Sequence, residues 1–185
     1  MKLFTENRDQ NTKDEVWFVE HYPVFTMGMN ANSTHILESS KIPILELDRG
    51  GQVTYHGPGQ LVVYMMFDLK RLGIGVRKFV TSIENIIISA VKNFGIKAEG
   101  KMTAPGVYVE DKKLAAIGLR IRKHCSYHGF SLNIDMDTQP FHMINPCGYE
   151  GLEITQLKDL CSISDTKVVS KIIEKEINSE FNNKK

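Results

Sequence analysis

Residues 49–60 restrict the fold more than any other segment, because they contain four glycines and one proline in twelve positions. Glycine and proline disfavour the interior of a regular helix, so the chain must turn or follow an irregular extended path here. A backbone with so few bulky side chains can also approach a ligand closely. The spacing matches neither glycine-rich phosphate-binding motif, so we predict no such site. The alternative is a tight loop with a glycine-rich edge strand, in which His56 only caps a turn.

Short apolar runs on both sides of this segment predict strands. Residues 16–19, 44–47 and 61–67 are almost entirely apolar, which is typical of buried strands. Residues 107–109 and 113–122 lie on either side of a charged turn and predict a hairpin.

Two segments show the spacing of amphipathic helices. Apolar residues recur at helical spacing over 76–94, and Gly95 lies where a C-terminal cap belongs. A second such pattern runs from Ser164 to Phe181. Residues 130–136 instead alternate between apolar and polar side chains, which predicts a strand with one buried face. Because the strands group as hairpins and not in strict βαβ order, we predict one α+β domain over 1–185 around a mixed or antiparallel sheet.

Charge and hydropathy exclude several classes of protein. The net charge of +1 argues against a nucleic-acid-binding chain. One short basic cluster is either a solvated strand end or a docking patch for an acidic partner. No run approaches the ~20 apolar residues of a membrane span, and residues 1–14 lack the apolar run of a signal peptide. We expect a soluble cytoplasmic protein. The basic cluster consists of Arg120, Arg122, Lys123 and His124.

The three cysteines, Cys125, Cys147 and Cys161, form no disulfide framework, since their number is odd and their spacing irregular. We expect Cys125 and Cys161 to pack in the core. His124, Cys125 and His128 resemble metal ligands, but no second half-site follows them, so we predict no metal site.

Pro146 and Gly148 bracket Cys147 and predict a turn that exposes the thiol. A free thiol of pKa ~8.5 is only a few per cent thiolate at neutral pH. A nucleophilic role therefore requires a neighbouring cation, base or helix N-terminus. The alternative is an ordinary buried cysteine, and the residues alone leave both interpretations open.

Lys113 begins the apolar run that follows the charged turn. A partly desolvated lysine is chemically useful, because burial changes its proton affinity. The alternative is that Lys113 continues the charged turn after Lys112. No local pattern brings Lys113 to Cys147, so only the fold could pair them.

Four motifs, in this order, carry a resemblance to a known family. They are residues 49–60; Ala104-Pro105-Gly106-Val107-Tyr108-Val109 leading to Lys113 and Gly118-Leu119-Arg120-Ile121; Ser126-Tyr127-His128-Gly129 with Leu132-Asn133; and Ile144-Asn145-Pro146-Cys147-Gly148-Tyr149. Together they resemble the octanoyltransferase family of lipoate biosynthesis (lipoyl/octanoyl-acyl-carrier-protein:protein transferases). The resemblance extends from about Val16 to Leu157, which is most of the chain.

The resemblance implies the fold of lipoate and biotin protein ligases, a mixed, largely antiparallel sheet flanked by helices, with an acyl tunnel beneath the glycine-rich segment. It also implies that Cys147 is the nucleophile and that Lys113 lowers its pKa. The acyl-binding residues that it implies are Arg49, Gly50, Gly51, Gln52, Val53, Thr54, Tyr55, His56, Ala116, Ile117, Gly118, Gly129, Phe130 and Ser131.

The implied reaction passes an octanoyl group from octanoyl-acyl carrier protein to Cys147, and then to a specific lysine of a lipoyl domain. The implied acceptors are the lipoyl domains of 2-oxoacid dehydrogenase complexes and the glycine cleavage H protein. Thioester exchange is nearly isoenergetic, so we expect no ATP site and no cofactor. Lys113 could transfer the protons, and residues 116–118 are candidates for backbone donors to the tetrahedral intermediates.

Two other functions use overlapping features. An ATP-dependent lipoate or biotin ligase would share the fold but needs no cysteine nucleophile, so the sequence around Cys147 counts against it. A non-catalytic acyl- or carrier-binding protein could lose Cys147 or Lys113, and this chain has both. Members of the octanoyltransferase family usually begin with a further strand and part of a helix before the position of Met1. Either the chain is naturally short or its start lies upstream.

Overall fold

A computed structural model describes residues 1–101 and 103–182 of the protein. Its strands are β1 (Glu15–Val19), β2 (Val24–Met27), β3 (Ile44–Glu46), β4 (Val53–His56), β5 (Gln60–Met66), β6 (Glu99–Gly100), β7 (Gly106–Val109), β8 (Lys112–Arg122) and β9 (Cys125–Asn133). Its α-helices are α1 (Lys2–Asn7), α2 (Val76–Lys92), α3 (Leu157–Cys161) and α4 (Thr166–Asn182). Short 3-10 helical turns occur at Ser33–His35, Gln139–Met143 and Pro146–Gly148.

Two sheets organise the structure. The larger has six strands in the order β1-β5-β9-β8-β7-β6, and all of its neighbouring strands are antiparallel. The smaller has the order β3-β2-β4, in which β2 pairs with β3 in parallel and with β4 in antiparallel orientation. The α+β class and the mixed, largely antiparallel sheet flanked by helices are therefore confirmed. Tight turns that join β7 to β8 and β8 to β9 account for the antiparallel order.

Helices α2 and α4 pack against one face of the larger sheet. The predicted helix over 76–94 is α2, whose apolar side chains, such as Phe79 and Ile87, are fully buried. The helix ends before Gly95, as predicted, and Gly95 has a φ of 76°. The next residue, Ile96, donates its N–H to the Val91 carbonyl in the last turn of the helix. The predicted terminal helix is α4, and α1 was not predicted.

The prediction that one face of the strand over 130–136 is exposed is wrong. All nine residues of β9 are buried, and the strand begins earlier, at Cys125. Phe130 and Leu132 belong to the core beneath the helices, whereas Gly129 and Ser131 face a cavity on the other side of the sheet. In this strand the apolar residues therefore lie on the face that the helices cover, and the small and polar residues lie on the face that lines the cavity. Neither face is exposed to solvent.

Two smaller predictions also have outcomes. The strand predicted over 44–47 forms as β3, but it lies at the edge of the smaller sheet, with Ile44 and Leu45 exposed. Cys125 is buried as expected.

Within residues 1–101 and 103–182, no group of three His, Cys, Asp or Glu side chains could hold a metal ion. None of the helices in that part of the chain is long and apolar enough to cross a bilayer.

Candidate active site

Cys147 lies in the predicted turn, at the centre of the 3-10 segment Pro146–Gly148. Its φ of 57° and ψ of 15° are in the left-handed region, which is strained for a residue with a side chain. Gly148 has a φ of 79°, and a Cβ there would lie 2.9 Å from Gln52 Cγ. The turn is therefore packed tightly against the glycine-rich segment, and the Cys147 thiol is half-buried.

Lys113 is placed by backbone bonds on both sides. Its N–H donates to the Glu153 carbonyl at 2.8 Å, and its own carbonyl accepts from the Thr155 N–H at 3.0 Å. The chain that follows Cys147 thus returns and pairs in parallel with the start of β8. Only 2% of Lys113 is exposed, so it does not continue the charged turn. Lys112 does, since it is exposed and forms a salt bridge with Glu153 at 2.8 Å.

The fold brings the Lys113 Nζ to 3.1 Å from the Cys147 Sγ. Burial alone would lower the pKa of Lys113, but attraction to a Cys147 thiolate and interaction with Tyr108 outweigh it and raise that pKa above its ordinary value. Lys113 is therefore an ammonium group at neutral pH. A buried ammonium group thus lies at hydrogen-bond distance from the sulfur.

The backbone of residues 103–105 holds both partners of this pair. Three consecutive carbonyl groups accept hydrogen bonds from side chains that surround the thiol. The donors are the Tyr149 Oη to Thr103 O at 3.0 Å, the Tyr108 Oη to Ala104 O at 2.9 Å and the Lys113 Nζ to Pro105 O at 3.5 Å. Since Tyr149 follows the Cys147 turn directly, one short segment connects that turn to Lys113.

Tyr108 also contacts Lys113 through its ring, whose centroid is 5.2 Å from the Nζ. A cation over a desolvated aromatic face gains about 2 kcal/mol. Gly106 also packs closely against this side chain, because a Cβ there would lie 3.2 Å from Lys113 Cε and 3.4 Å from its Nζ. The ammonium group is thus surrounded by an aromatic ring, a glycine and the sulfur.

This confinement predicts the effect of two substitutions at Tyr108. Tyr108→Leu removes the aromatic face and should shift the pH profile of Cys147 alkylation to higher pH, with a rate at neutral pH several-fold lower. Tyr108→Phe keeps the face and serves as the matched control with the smaller shift. Iodoacetamide rates measured across pH check this. A wild-type profile in Tyr108→Leu would show that the ring does not hold Lys113 in place.

Beside the thiol is a cavity of ≈ 280 Å³ between the two sheets. Cys147 lies in its wall, together with aliphatic residues from both sheets, including Val24 and Val62. Lys113 and Cys147 both line a second, small void of ≈ 10 Å³. The Cys147 thiol thus lies beside a buried cation and in the wall of a space that an extended acyl chain could occupy.

A family model described as the lipoyl protein ligase A/B catalytic domain matches residues 1–177. This chain belongs to that family. Among its relatives is an octanoyltransferase of Shewanella halifaxensis, 59% identical over 160 residues, which are 86% of this chain and 73% of the relative. Another is an octanoyltransferase of Vesicomyosocius okutanii, 58% identical over 166 residues, which are 90% of this chain and 81% of the relative. The chain is an enzyme of the acyltransferase class.

Solved structures of lipoyl and biotin protein ligases share the fold of this family member. A putative lipoate protein ligase of T. acidophilum with bound lipoic acid superposes with a TM-score of 0.81 at 11% identity, over 98% of this chain and 78% of the other. A biotin protein ligase of Aquifex aeolicus with biotin and ATP has a TM-score of 0.60 at 15% identity, over 86% and 70% of the two chains. The fold expected from the resemblance is confirmed.

Most of the residues that sequence reasoning assigned to acyl binding lie in the cavity wall of this family member. Two do not. Tyr55 is 2% exposed and packs between Phe25 and Phe141, at centroid distances of 5.6 and 5.5 Å. Gly50 donates its N–H to the Leu119 carbonyl at 2.9 Å. The assigned residues in the wall are Arg49, Gly51, Gln52, Val53, Thr54, His56, Ala116, Ile117, Gly118, Gly129, Phe130 and Ser131.

Three residues of the same wall, His21, Tyr64 and His128, were not assigned to it from the sequence. His21 Nε2 and Tyr64 Oη are 2.6 Å apart, and His128 Nε2 is 3.0 Å from Asp48 Oδ1. Burial lowers the pKa of His21 and of His128, and it lowers that of His56 to about 4, so the three imidazoles are neutral at pH 7. Tyr64 was detectable as the one polar-tipped side chain in an apolar strand. His21 carried no local signal.

Proposed function

We propose that the enzyme transfers an octanoyl group from octanoyl-acyl carrier protein to a specific lysine of lipoyl domains, through a thioester on Cys147. The observation that carries the proposal is the 3.1 Å contact between Lys113 Nζ and Cys147 Sγ at the wall of the cavity. The cavity holds the acyl chain, and residues 1–185 act as one catalytic domain. The substrate-binding residues are those assigned from the sequence, of which Gly50 and Tyr55 act from behind the wall.

The first half-reaction forms the acyl-enzyme. The Cys147 thiolate attacks the donor thioester carbon, so a C–S bond forms and the carbonyl electron pair moves to oxygen. Collapse of this intermediate breaks the bond to the carrier sulfur. That leaving thiolate takes a proton from the Lys113 ammonium, which becomes a neutral amine.

The second half-reaction forms the amide. The neutral amine of the acceptor lysine attacks the Cys147 thioester, and the neutral Lys113 removes its proton. Collapse expels the Cys147 thiolate and restores the resting ion pair. Both half-reactions balance without ATP, since a thioester supplies the acyl group at each stage.

Relatives and neighbours support the choice of partners. Close relatives carry the name octanoyltransferase, and one structural neighbour is described as a bi-partite lipoate protein ligase together with its E2 lipoyl domain. We propose lipoyl domains of 2-oxoacid dehydrogenase complexes and the glycine cleavage H protein as acceptors.

Mass spectrometry of the intact protein tests the proposal. Octanoyl-acyl carrier protein without ATP should add one octanoyl group, which peptide mapping places on Cys147 and which hydroxylamine removes. A lipoyl domain added next should take up the group as a hydroxylamine-stable amide. Octanoate with ATP is the control and should leave Cys147 unmodified. Label that requires ATP would contradict the proposal and favour a ligase.

A further inference from the structure

Arg49 is a buried charge in the cavity wall, only 8% exposed. Its Nη2 donates to the Thr26 carbonyl at 2.6 Å and to the Thr26 hydroxyl at 2.8 Å, and its Nη1 donates to the Gly50 carbonyl at 2.9 Å. All of these acceptors are neutral. Buried cations in proteins are normally paired with an anion, because desolvation of an unpaired charge costs several kcal/mol, on the order of the whole margin of stability.

Within residues 1–101 and 103–182, Arg49 forms no salt bridge with a carboxylate. The neighbouring carboxylate of Asp48 is directed elsewhere, to the Tyr127 hydroxyl at 2.7 Å and to His128 at 3.0 Å. Lys2 lies 3.5 Å from the same carboxylate. The counter-charge of Arg49 must therefore come from another group.

Glycines make room for this guanidinium. A Cβ at Gly28 would lie 2.8 Å from the Arg49 Nη1, and one at Gly51 would lie 3.4 Å from it. A Cβ at Gly118, on β8, would lie 3.3 Å from the Arg49 Cδ. Glycines from β8, from the end of β2 and from the glycine-rich segment thus lie close to one arginine, and a Cβ at Gly28 would also lie 2.3 Å from the Gly51 carbonyl oxygen.

The group available to balance this charge is in the same cavity wall. Arg49 and Cys147 both line it, and the Lys113 Nζ is 3.1 Å from the sulfur. Burial lowers the pKa of Arg49 to about 10, and attraction to a Cys147 thiolate opposes that decrease, so the guanidinium is charged at neutral pH. When Cys147 is a thiolate, the site holds two cations and one anion. Its excess positive charge suits a reaction whose intermediates carry negative charge on oxygen.

We propose that Arg49 is a second catalytic cation, which stabilises the Cys147 thiolate and then the oxyanion of each tetrahedral intermediate. The inference rests on the proposed acyl transfer and adds a role that Lys113 does not fill. When the thiolate attacks the donor, the negative charge moves from sulfur to the former carbonyl oxygen. The Nη1 carries two N–H groups, and its bond to Gly50 uses one, so a donor remains. Collapse returns the electron pair to the carbonyl as the leaving sulfur departs, and Arg49 gains and loses no proton.

Single-turnover acylation of Cys147 by octanoyl-acyl carrier protein tests this. Arg49→Gln should lower the maximal acylation rate about 100-fold, the loss that follows removal of one donor to an oxyanion. The donor concentration at half-maximal rate should change little, because the interaction strengthens only in the transition state. Arg49→Lys, which keeps a charge, should retain more of the rate. Arg77→Gln on the exposed face of α2 is the matched control and should acylate at the wild-type rate.

Chemical rescue separates charge from packing. In Arg49→Ala, millimolar methylguanidinium should restore part of the acylation rate, whereas methylurea, a neutral molecule of the same shape, should not. Thermal unfolding followed by circular dichroism identifies variants that are folded. If Arg49→Gln is too unstable to assay, the comparison of Arg49→Lys with wild type and the rescue experiment still decide the question.

Three outcomes would overturn the inference. One is a wild-type maximal rate in folded Arg49→Gln. Another is a loss confined to the donor concentration at half-maximal rate, which would make Arg49 a binding residue only. The third is equal rescue by methylurea and methylguanidinium. Failure of the proposed function would look different, since the wild-type protein would then form no thioester on Cys147.

Discussion

Cys147→Ala will form no octanoyl-enzyme, and its transfer of octanoyl groups to a lipoyl domain will fall to the uncatalysed rate. The reason is the position of the Cys147 thiol. Among the residues that the structure describes, it is the only thiol that lies both in the cavity wall and beside Lys113. Removal of a nucleophile that forms a covalent intermediate takes away the whole two-step route. Intact-mass spectrometry after incubation with octanoyl-acyl carrier protein measures the effect.

Two further variants make the result specific. Cys147→Ser keeps the size of the group but offers a hydroxyl, which a neighbouring ammonium cannot ionise near neutral pH, so it should lose nearly all acylation. Cys161→Ser is the matched control, because its thiol is directed to the Leu157 carbonyl at 3.2 Å, away from the cavity. Octanoyl label at wild-type level in Cys147→Ala would contradict the assignment and would move the search to Cys125 or Cys161.

Lys113→Met should slow Cys147 acylation by about 10²- to 10⁴-fold, the usual contribution of a positioned acid or base. It should also shift the pH profile of iodoacetamide alkylation to higher pH. The sign follows from the pair itself. Attraction to a thiolate raises the pKa of Lys113 in the folded protein, so the ammonium that favours the thiolate is present at neutral pH and is lost only as the pH rises through that raised pKa. Methionine fills a similar volume without charge.

Lys112→Met is the matched control for this experiment. Lys112 adjoins Lys113 in β8, but it is exposed and its Nζ pairs with Glu153 at 2.8 Å. Its loss should leave the alkylation profile unchanged, because an exposed ion pair contributes little. An alkylation profile that is the same in Lys113→Met and in wild type would remove Lys113 from the proposed role, even if acylation were slower.

The local elements were predictable because each depends on nearby residues. The spacing of Phe79, Ile83 and Ile87 determines which face of α2 is apolar, and Gly95 permits the positive φ with which the helix ends. The β7–β8 hairpin was predictable for the same reason. The burial of both faces of β9 was not predictable. Alternation of apolar and polar residues indicates that a strand has two different faces, but it does not indicate what covers each face. Helices cover one face of that strand, and the cavity with the smaller sheet covers the other.

The active-site residues divide in the same way. The turn around Cys147 follows from Pro146 and Gly148, and ordered motifs along the chain were enough to identify the family. The wall of the cavity was predicted less completely. His21 lies in the loop after β1 and Tyr64 lies in β5, so the two meet only in the folded protein. Tyr55 turns away from the cavity into a separate aromatic cluster.

The glycine-rich segment was predicted to allow close approach of a ligand, and the sequence could not say which other residues of the chain pack against it. Positive φ at Gly51 and the absence of side-chain bulk are properties of the segment itself. That the Arg49 guanidinium occupies part of the space depends on Gly28 and Gly118, which come from other parts of the chain. By itself the sequence therefore determined α2, α4, the β7–β8 hairpin, the turn at Cys147 and the family, because these depend on local periodicity and on ordered motifs. Only the tertiary structure decided that Lys113 is buried beside the Cys147 sulfur and that Arg49 is buried in the wall of the same cavity, because burial and charge pairing arise from contacts between distant segments.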